Sequence, residues 1–480
     1  MSNIWKSIVI SLLSENRFHQ GGSNVLNYFE TLSDFMSWFS SKSDAMRFDV
    51  EEIPLAEISG WTLDAEGKGV YHKSGKFFSI QGIDVNISEP YEERWQQPII
   101  NQPEIGILGI LCKIVKGVPY FLMQLKMEPG NINKAQLSPT VQATKSNYTR
   151  VHNGDLPAYL DYFLERKGIV IADQLQSEQG ARFLRKRNRN MIVLIEDDVE
   201  CLEHFCWLSL SQIKALYCHD NLINMDARSV LSMIDVDELG GKECFVISAR
   251  TEFSQELALS RKVKENGISS LNDAISWMTS MKSRYEMSIT PAQLSGLKNW
   301  SIASDKIHHD LDHYFSVIGV HTRLEGREIS EWSQPLLKHD AVGLVGLLCQ
   351  KKAGVLHFLV NARIEPGYID GIEIGATVSC SDPSRYSGGD HKLAFLSYFQ
   401  TASAESIRCD YELSEEGGRF YHFRNRYRVI EIDASESIDI PQDYFWLTYG
   451  QLLSLIKHSL YINIELRSIL SALPLNEVRH

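Results

Sequence analysis

From Tyr120 to Glu128 an apolar residue recurs at every second position. Phe121, Met123, Leu125 and Met127 fall on one face, and Leu122, Gln124, Lys126 and Glu128 on the other. A period of two predicts a β-strand, and Pro129-Gly130 closes it in a turn. A second segment has the same pattern, with Phe358, Val360, Ala362 and Ile364 set against Leu359, Asn361, Arg363 and Glu365, followed by Pro366-Gly367. Residues Arg185 to Ile195 read as a further strand. Apolar spacings of three and four predict amphipathic helices through Leu32, Phe35, Met36 and Phe39, and through Leu271, Ile275, Trp277 and Met278. Ser209 or Ser211, and Thr448, are suitable N-caps for later helices. Together these elements predict an α+β chain in which helices pack on antiparallel or mixed sheets.

The two alternating segments belong to a larger repeat. Trp95-Gln-Gln-Pro98 recurs 237 residues later as Trp332-Ser-Gln-Pro335, and Glu128-Pro129-Gly130 as Glu365-Pro366-Gly367. Thr140-Val141 recurs as Thr377-Val378, and Arg187-Asn188-Arg189 as Arg424-Asn425-Arg426. Flanking this block the offset becomes 239, so that Trp38 meets Trp277, Trp207 meets Trp446, and Asn224 and Arg228 meet Asn463 and Arg467. The expected organisation is an extension at 1–30, a first lobe at 31–233, a charged connector at 234–269 and a divergent second lobe at 270–480.

A length of 480 residues fits more than one core. The net charge of −13 argues against nucleic acid as a partner, so an anionic ligand needs locally clustered cations. Eight cysteines without a CxxC pair favour a reduced cytoplasmic setting. Cys201, His204 and Cys206 have no second cluster to complete a metal site, and none is expected. The run Ile8 to Leu13 is short for a secretory segment, and no stretch approaches the length of a membrane span.

The polar face of the first strand either meets water or lines a pocket. Its survival in the second copy favours a pocket, as does the polar segment that follows. That segment, Glu128 to His152, is dense in amides and hydroxyls: Asn131, Gln136, Ser138, Thr140, Gln142, Thr144, Ser146 and Asn147. With Gln124 they suit recognition of a sugar and a base, whereas the plain alternative is a long surface loop. Lys126, Lys145, Arg150 and His152 add positive charge. The run Arg182 to Asn190 places Arg185, Arg187 and Arg189 on one strand face, with Arg182, Lys186 and Asn188 on the other. Guanidinium forks suit a diphosphate; the competing reading is a basic edge strand that blocks aggregation. No GxxxxGK[ST], strand-anchored GxGxxG, HExxH, GxSxG or RExxEE box occurs.

Met127-Glu-Pro-Gly-Asn131, followed by Gln136-Leu-Ser-Pro-Thr-Val-Gln-Ala-Thr-Lys-Ser-Asn-Tyr-Thr-Arg-Val-His152, resembles the signature of the NDP-hexose 2,3-dehydratases. The resemblance spans nearly the whole chain. It implies Nudix-like lobes without the metal box, a homodimer, and a 4-keto-6-deoxy sugar on a nucleoside diphosphate, usually dTDP. Each lobe then has a nucleotide pocket, and one is catalytic. The 4-keto group acidifies C3–H and acts as the electron sink, so no redox cofactor is needed. Elimination requires a base, an acid for the C2 hydroxyl and donors at O4.

The first lobe is the expected catalytic one, because Lys126, Pro139, Gln142, Asn147 and Tyr148 are replaced in the second copy by Arg363, Ala376, Ser379, Ser384 and Arg385. Glu128 is the leading base candidate and His152 the next. Lys126 or Tyr148 assists hydroxide departure or stabilises O4, and Tyr148 or Trp95 stacks on the base. Glu365 occupies the place of Glu128 in the second copy, so Glu128 has the rival role of holding the turn. Arg185, Arg187, Asn188 and Arg189 are assigned to the diphosphate. Arg363, Glu365, Thr377, Arg424, Asn425 and Arg426 are assigned to the second-lobe nucleotide pocket. Two other functions remain open: a non-catalytic nucleotide-sugar binding or scaffold protein, and a metal-dependent nucleoside-diphosphate hydrolase.

Overall fold

The computed structural model describes residues 29, 31–64, 66–145, 156–236, 252–324, 330–386 and 393–474. The alternating segment forms the strand Val118–Lys126. It stops at Lys126 because Glu128 begins a turn, its carbonyl accepting from Asn131 N at 3.0 Å. The strand lies in a seven-stranded mixed sheet ordered Ile169–Ser177, Arg187–Leu194, Gly106–Val115, Val118–Lys126 and Phe205–Ser209. Short strands Gln136–Ser138 and Val141–Ala143 pair with Val118–Lys126 and Gly106–Val115. Only Arg187–Leu194 against Gly106–Val115 is parallel. The second copy repeats this sheet as Ile407–Ser414, Arg424–Ile432, Gly343–Lys352, Val355–Ile364 and Tyr444–Thr448. The class is α+β, with mixed sheets, as the patterning predicts.

The expected helices form at Leu32–Ala45 and Leu271–Arg284, opened by capping boxes at Thr31 with Asp34 and at Ser270 with Asp273. Each buries a narrow stripe, Phe35 and Phe39 in the first and Ala274, Met278 and Met281 in the second. Of the two candidate caps near residue 210, Ser209 caps Leu210–Leu216, and Thr448 caps its counterpart Tyr449–Leu455. Two further helices, Met225–Leu231 and Ile464–Ala472, are buried on every side and pack together. Their caps, Asn224 and Asn463, accept from Ala227 N at 2.8 Å and Leu466 N at 3.0 Å. The largest apolar cluster runs through both copies, joining Met123 and Leu125 to Phe358 and Val360. Among the described residues no helix is long and apolar enough to cross a membrane.

The two copies exchange strands. Phe48–Ile53, from the first, pairs with Ser316–Leu324 of the second. Glu286–Ala292, from the second, pairs with Ser79–Glu89 of the first. Indole donors lock each exchange: Trp61 Nε1 to Ser333 O at 2.9 Å and Trp300 Nε1 to Gln96 O at 2.9 Å.

The Pro-Gly turns cross as well. Gly130 N donates to Gly417 O at 2.7 Å, and Gly367 N to Gly180 O at 2.7 Å. A Cβ on Gly130 would lie 1.6 Å from Phe420 O, and one on Gly367 1.8 Å from Phe183 O. Both obstacles are backbone of the opposite copy, so a side chain forces the copies apart. Gly130→Ala is therefore expected to lower stability by about 3 kcal/mol, at the upper end of overpacking costs. Gly296→Ala, whose nearest neighbour is 4.0 Å away, is expected to leave the melting temperature unchanged. Thermal denaturation of the two variants checks the contrast.

Candidate functional site

In the strand Val118–Lys126 the apolar face enters the core, and the other face does not meet bulk water. Gln124 and Lys126, followed by Glu128, line a cavity of about 390 Å³, a ligand-sized volume. Glu128 is 7% exposed. Its Oε1 accepts from Gln142 Nε2 at 3.0 Å and pairs with Lys126 Nζ at 2.9 Å. Gln142 is itself fixed by Asn224 Nδ2, which donates to Gln142 Oε1 at 3.1 Å. The other carboxylate oxygen, Glu128 Oε2, is buried without a hydrogen-bond partner. One oxygen is held and its twin is left for something else.

The cavity is composite. Lys186, Asn188 and Glu178 come from the first copy, and Trp332, Gln334, Glu416 and Arg419 from the second. Asn188 Nδ2 donates to Glu178 Oε1 at 2.6 Å, while its Oδ1 accepts from Gly106 N at 3.0 Å. Arg419 stacks its guanidinium 4.0 Å from the ring centre of Phe78. Asp226, on the buried helix, completes a set of four carboxyl groups.

Burial dominates the titration of three of them, Asp226, Glu178 and Glu416. It drives the Asp226 carboxyl well above the carboxylate range, reinforced by Glu178 and Glu128. The same desolvation pushes Glu178 up to about 7 and Glu416 up to about 8. It pulls the Lys186 ammonium and the Arg419 guanidinium below their usual values. The cavity can therefore hold protonated acids beside a paired ammonium.

Several residues singled out in the sequence lie elsewhere. Arg185 has φ 52° and is exposed, so the strand begins only at Arg187. Its N–H is drawn to Gly367 O at 2.8 Å in the opposite copy. Arg189 forms a two-pronged pair with Asp173, at 2.6 Å for each contact. Neither these two nor Arg187 lines the cavity; the opposite side of the run, Lys186 and Asn188, does. Thr140 and Thr144 reach the lining, but the Thr140 hydroxyl donates to Leu122 O at 2.5 Å and accepts from Leu111 N at 2.9 Å. Ser138 bonds the carbonyls of Gln124 and Pro139, and Gln136 donates to Ser414 Oγ at 2.6 Å between the copies. Asn131 Nδ2 donates to Lys126 O at 3.4 Å, and its side chain packs against Gly417. Ser146, Asn147, Tyr148, Arg150 and His152 lie outside the described residues.

A second cavity of about 760 Å³ has the mirrored construction. Arg363, Glu365 and Asn425 come from the second copy, and Trp95, Gln97, Gln179 and Arg182 from the first. Trp95 thus serves this cavity, and its repeat partner Trp332 serves the first one, because the copies are interlocked. Arg363 Nε pairs with Glu365 Oε1 at 3.1 Å. The Thr377 hydroxyl is held by Leu359 O and Leu348 N, as in Thr140. Arg424 and Arg426 pair with Glu412 and Asp410 and are not in the lining.

Sequence reasoning missed Glu178, Asp226, Glu416 and Lys186. A signal was present for one: Ser177-Glu-Gln-Gly180 aligns with Ser414-Glu-Glu-Gly417, a neutral amide against an acid. Among the described residues no group of three or more His, Cys, Asp or Glu is arranged to hold a metal ion.

A Nudix hydrolase from M. smegmatis aligns with 27% of this chain and 81% of its own, at 17% identity and a TM-score of 0.17. Sequence relatives are far nearer. A dTDP-4-dehydro-6-deoxy-alpha-D-glucopyranose 2,3-dehydratase from Saccharopolyspora spinosa is 41% identical over 462 residues, covering 95% of this chain and 94% of that protein. An enzyme of the same name from Amycolatopsis orientalis is 41% identical over 452 residues, covering 92% and 89%. The family model for NDP-hexose 2,3-dehydratases matches twice, at residues 32–234 and 271–473. The chain belongs to the NDP-hexose 2,3-dehydratase family.

Proposed function

We propose that this chain removes the C2 hydroxyl of dTDP-4-keto-6-deoxy-D-glucose and yields a 3,4-diketo-2,6-dideoxy sugar nucleotide for deoxysugar biosynthesis. The observation that carries the chemical reading is the Glu128 carboxylate, with one oxygen held by Lys126 and Gln142 and the other buried and unpartnered. A base that must take a carbon-bound proton needs this fixed orientation.

Glu128 takes the C3 proton. The electron pair moves into the C2–C3 bond as the C2–O bond breaks, and the hydroxyl leaves with a proton as water. The resulting enol takes a proton at C2, loses its O3 proton and becomes the diketone. The ketone at C4 holds the developing negative charge, and the Lys126 ammonium beside Glu128 is the donor to it. Gln124, Thr144 and Asn188 face the sugar, and Arg419 with Lys186 takes the diphosphate. The second cavity is read as a nucleotide pocket on Arg363, Glu365 and Asn425, with Trp95 and Trp300 available to a base. The reading extends to a cytoplasmic homodimer, supported by the family resemblance, and light scattering should then give twice the 54.6 kDa chain mass.

Incubation with dTDP-4-keto-6-deoxyglucose in D2O with EDTA, followed by NMR, is expected to show loss of the C2 hydroxyl and deuterium at C2. An unchanged sugar with dTDP still bound would favour a binding protein. Activity abolished by EDTA, with cleavage of the diphosphate, would favour the hydrolase. Glu128→Gln is expected to retain dTDP binding and lose at least about 100-fold in kcat, the ordinary contribution of a positioned base. Near-normal turnover would leave Glu128 only the role of holding its turn.

A further inference from the structure

The two cavities differ in a correlated way, and the difference is not confined to one copy. At the first, the strand and loop of the N-terminal copy supply Lys126 and Gln142, and the C-terminal copy supplies Glu416. At the second, the corresponding places hold Arg363, Ser379 and Gln179. Gln179 is the repeat partner of Glu416, and its amide donates to Glu415 Oε2. An amide in that place cannot deliver a proton. Of the four carboxyl groups at the first cavity, Glu128, Glu178 and Asp226 are matched at the second by Glu365, Glu415 and Glu465, whereas Glu416, which the C-terminal copy provides, is matched by Gln179.

Glu416 is also distinct among the carboxyl groups of its cavity. Glu178 and Asp226 are 5% and 4% exposed, and Glu178 is tied to Asn188. Glu416 is only half-buried, and its side chain stands on the cavity wall. Its Oε1 accepts from Gly418 N at 2.9 Å, which fixes the carboxyl group on its own turn. The crossing of Gly130 N to Gly417 O, at 2.7 Å, sets that turn directly against the one carrying Glu128.

We infer that Glu416, supplied by the C-terminal copy, is the catalytic acid that protonates the departing C2 hydroxyl. The inference rests on the dehydratase reading and on Glu128 as the base. Glu128 takes the C3 proton, the Glu416 carboxylic acid gives its proton to the C2 oxygen, and water leaves. When the enol tautomerises, its O3 proton returns to the Glu416 carboxylate, C2 takes a proton from solvent, and Glu128 loses its own to solvent. Both groups end as they began. The groups facing Glu416 are Glu128 and Lys126 from the strand end, Glu178 and Lys186 from the neighbouring loop, Asp226 from the buried helix, and Arg419 on its own turn. Burial and the nearby Glu128 hold the Glu416 carboxyl up, to about 8, so the acid is charged with its proton at neutral pH. Since the active form is the protonated one, turnover falls as pH rises through that value.

The test is Glu416→Gln in the full chain, assayed with dTDP-4-keto-6-deoxyglucose in D2O, with wild type and Glu128→Gln alongside. Glu416→Gln is expected to bind dTDP normally and to wash out the C3 proton, because the base is intact. Elimination should fall at least about 100-fold and lose its decline at alkaline pH, and Glu416→Asp should recover part of the rate. Glu128→Gln should lose the washout as well. Wild-type turnover rates and an unchanged pH profile in Glu416→Gln would overturn the assignment, as would loss of dTDP binding together with both steps. A wild type that neither exchanges nor eliminates would remove the dehydratase reading and the acid with it, whereas an active wild type beside an equally active Glu416→Gln removes the acid alone.

Discussion

The structure depends on two buried arginines that reach across the molecule. Arg228 and Arg467 are both fully buried, on the two helices that pack at the centre. Arg228 donates to Ser414 O of the other copy at 2.5 Å, and Arg467 to Ser177 O at 2.6 Å. Ser177 Oγ in turn donates to Glu373 at 2.5 Å, and Gln136 to Ser414 Oγ at 2.6 Å. Separating the copies would strand two guanidinium groups and their carbonyl acceptors. A hydrogen bond from a charged donor is worth about 1.5–3 kcal/mol, so the two together hold the halves with a sizeable part of a domain's stability. The exchanged strands and crossed turns are consequences of that central registry.

Each cavity therefore exists only in the assembled pair. Lys126 and Glu128 would sit on an open sheet face if Trp332, Gln334, Glu416 and Arg419 did not cover them. The cover excludes water, and burial is what holds Glu178, Asp226 and Glu416 above their ordinary titration range. Electrostatic interactions in such a site are stronger than in solvent, so a single ammonium 2.9 Å from Glu128 has an effect it would not have on a surface. The second cavity shares the cover and three of the carboxyl groups, as Glu365, Glu415 and Glu465, but has the amide of Gln179 where the first has Glu416.

Much of this was legible in the amino-acid sequence. The offset of 237 residues reveals the duplication, and the alternation from Tyr120 identifies both the strand and its polar face. Periodicity says which residues share a face, but not which lobe covers it. That is why Trp95 lines the cavity opposite to the one expected, and why Glu416 escaped notice. The run from Arg182 to Arg189 shows the same limit. Its alternation is real, yet Asp173 neutralises Arg189 from the adjacent strand, and the left-handed conformation of Arg185 breaks the phase. The helices Met225–Leu231 and Ile464–Ala472 have apolar spacing, yet their polar faces, with Arg228 and Arg467, are buried as well, which periodicity cannot foresee.

Glu415 lines one cavity and its neighbour Glu416 the other, just as Gln179 and Glu178 divide between them. Such an arrangement constrains how the duplicated halves can diverge. A change that suits one cavity must be written partly into the repeat whose own strand serves the other, so neither half can drift into a private specialisation. The same pattern describes what a single unfused copy would do. Two identical copies would meet through one self-complementary surface, as in a two-fold dimer, and would make two equal cavities. Fusion is what allows the cavities to become unequal. Once the halves are covalently distinct, an amide can replace an acid at one position without altering its counterpart 237 residues away.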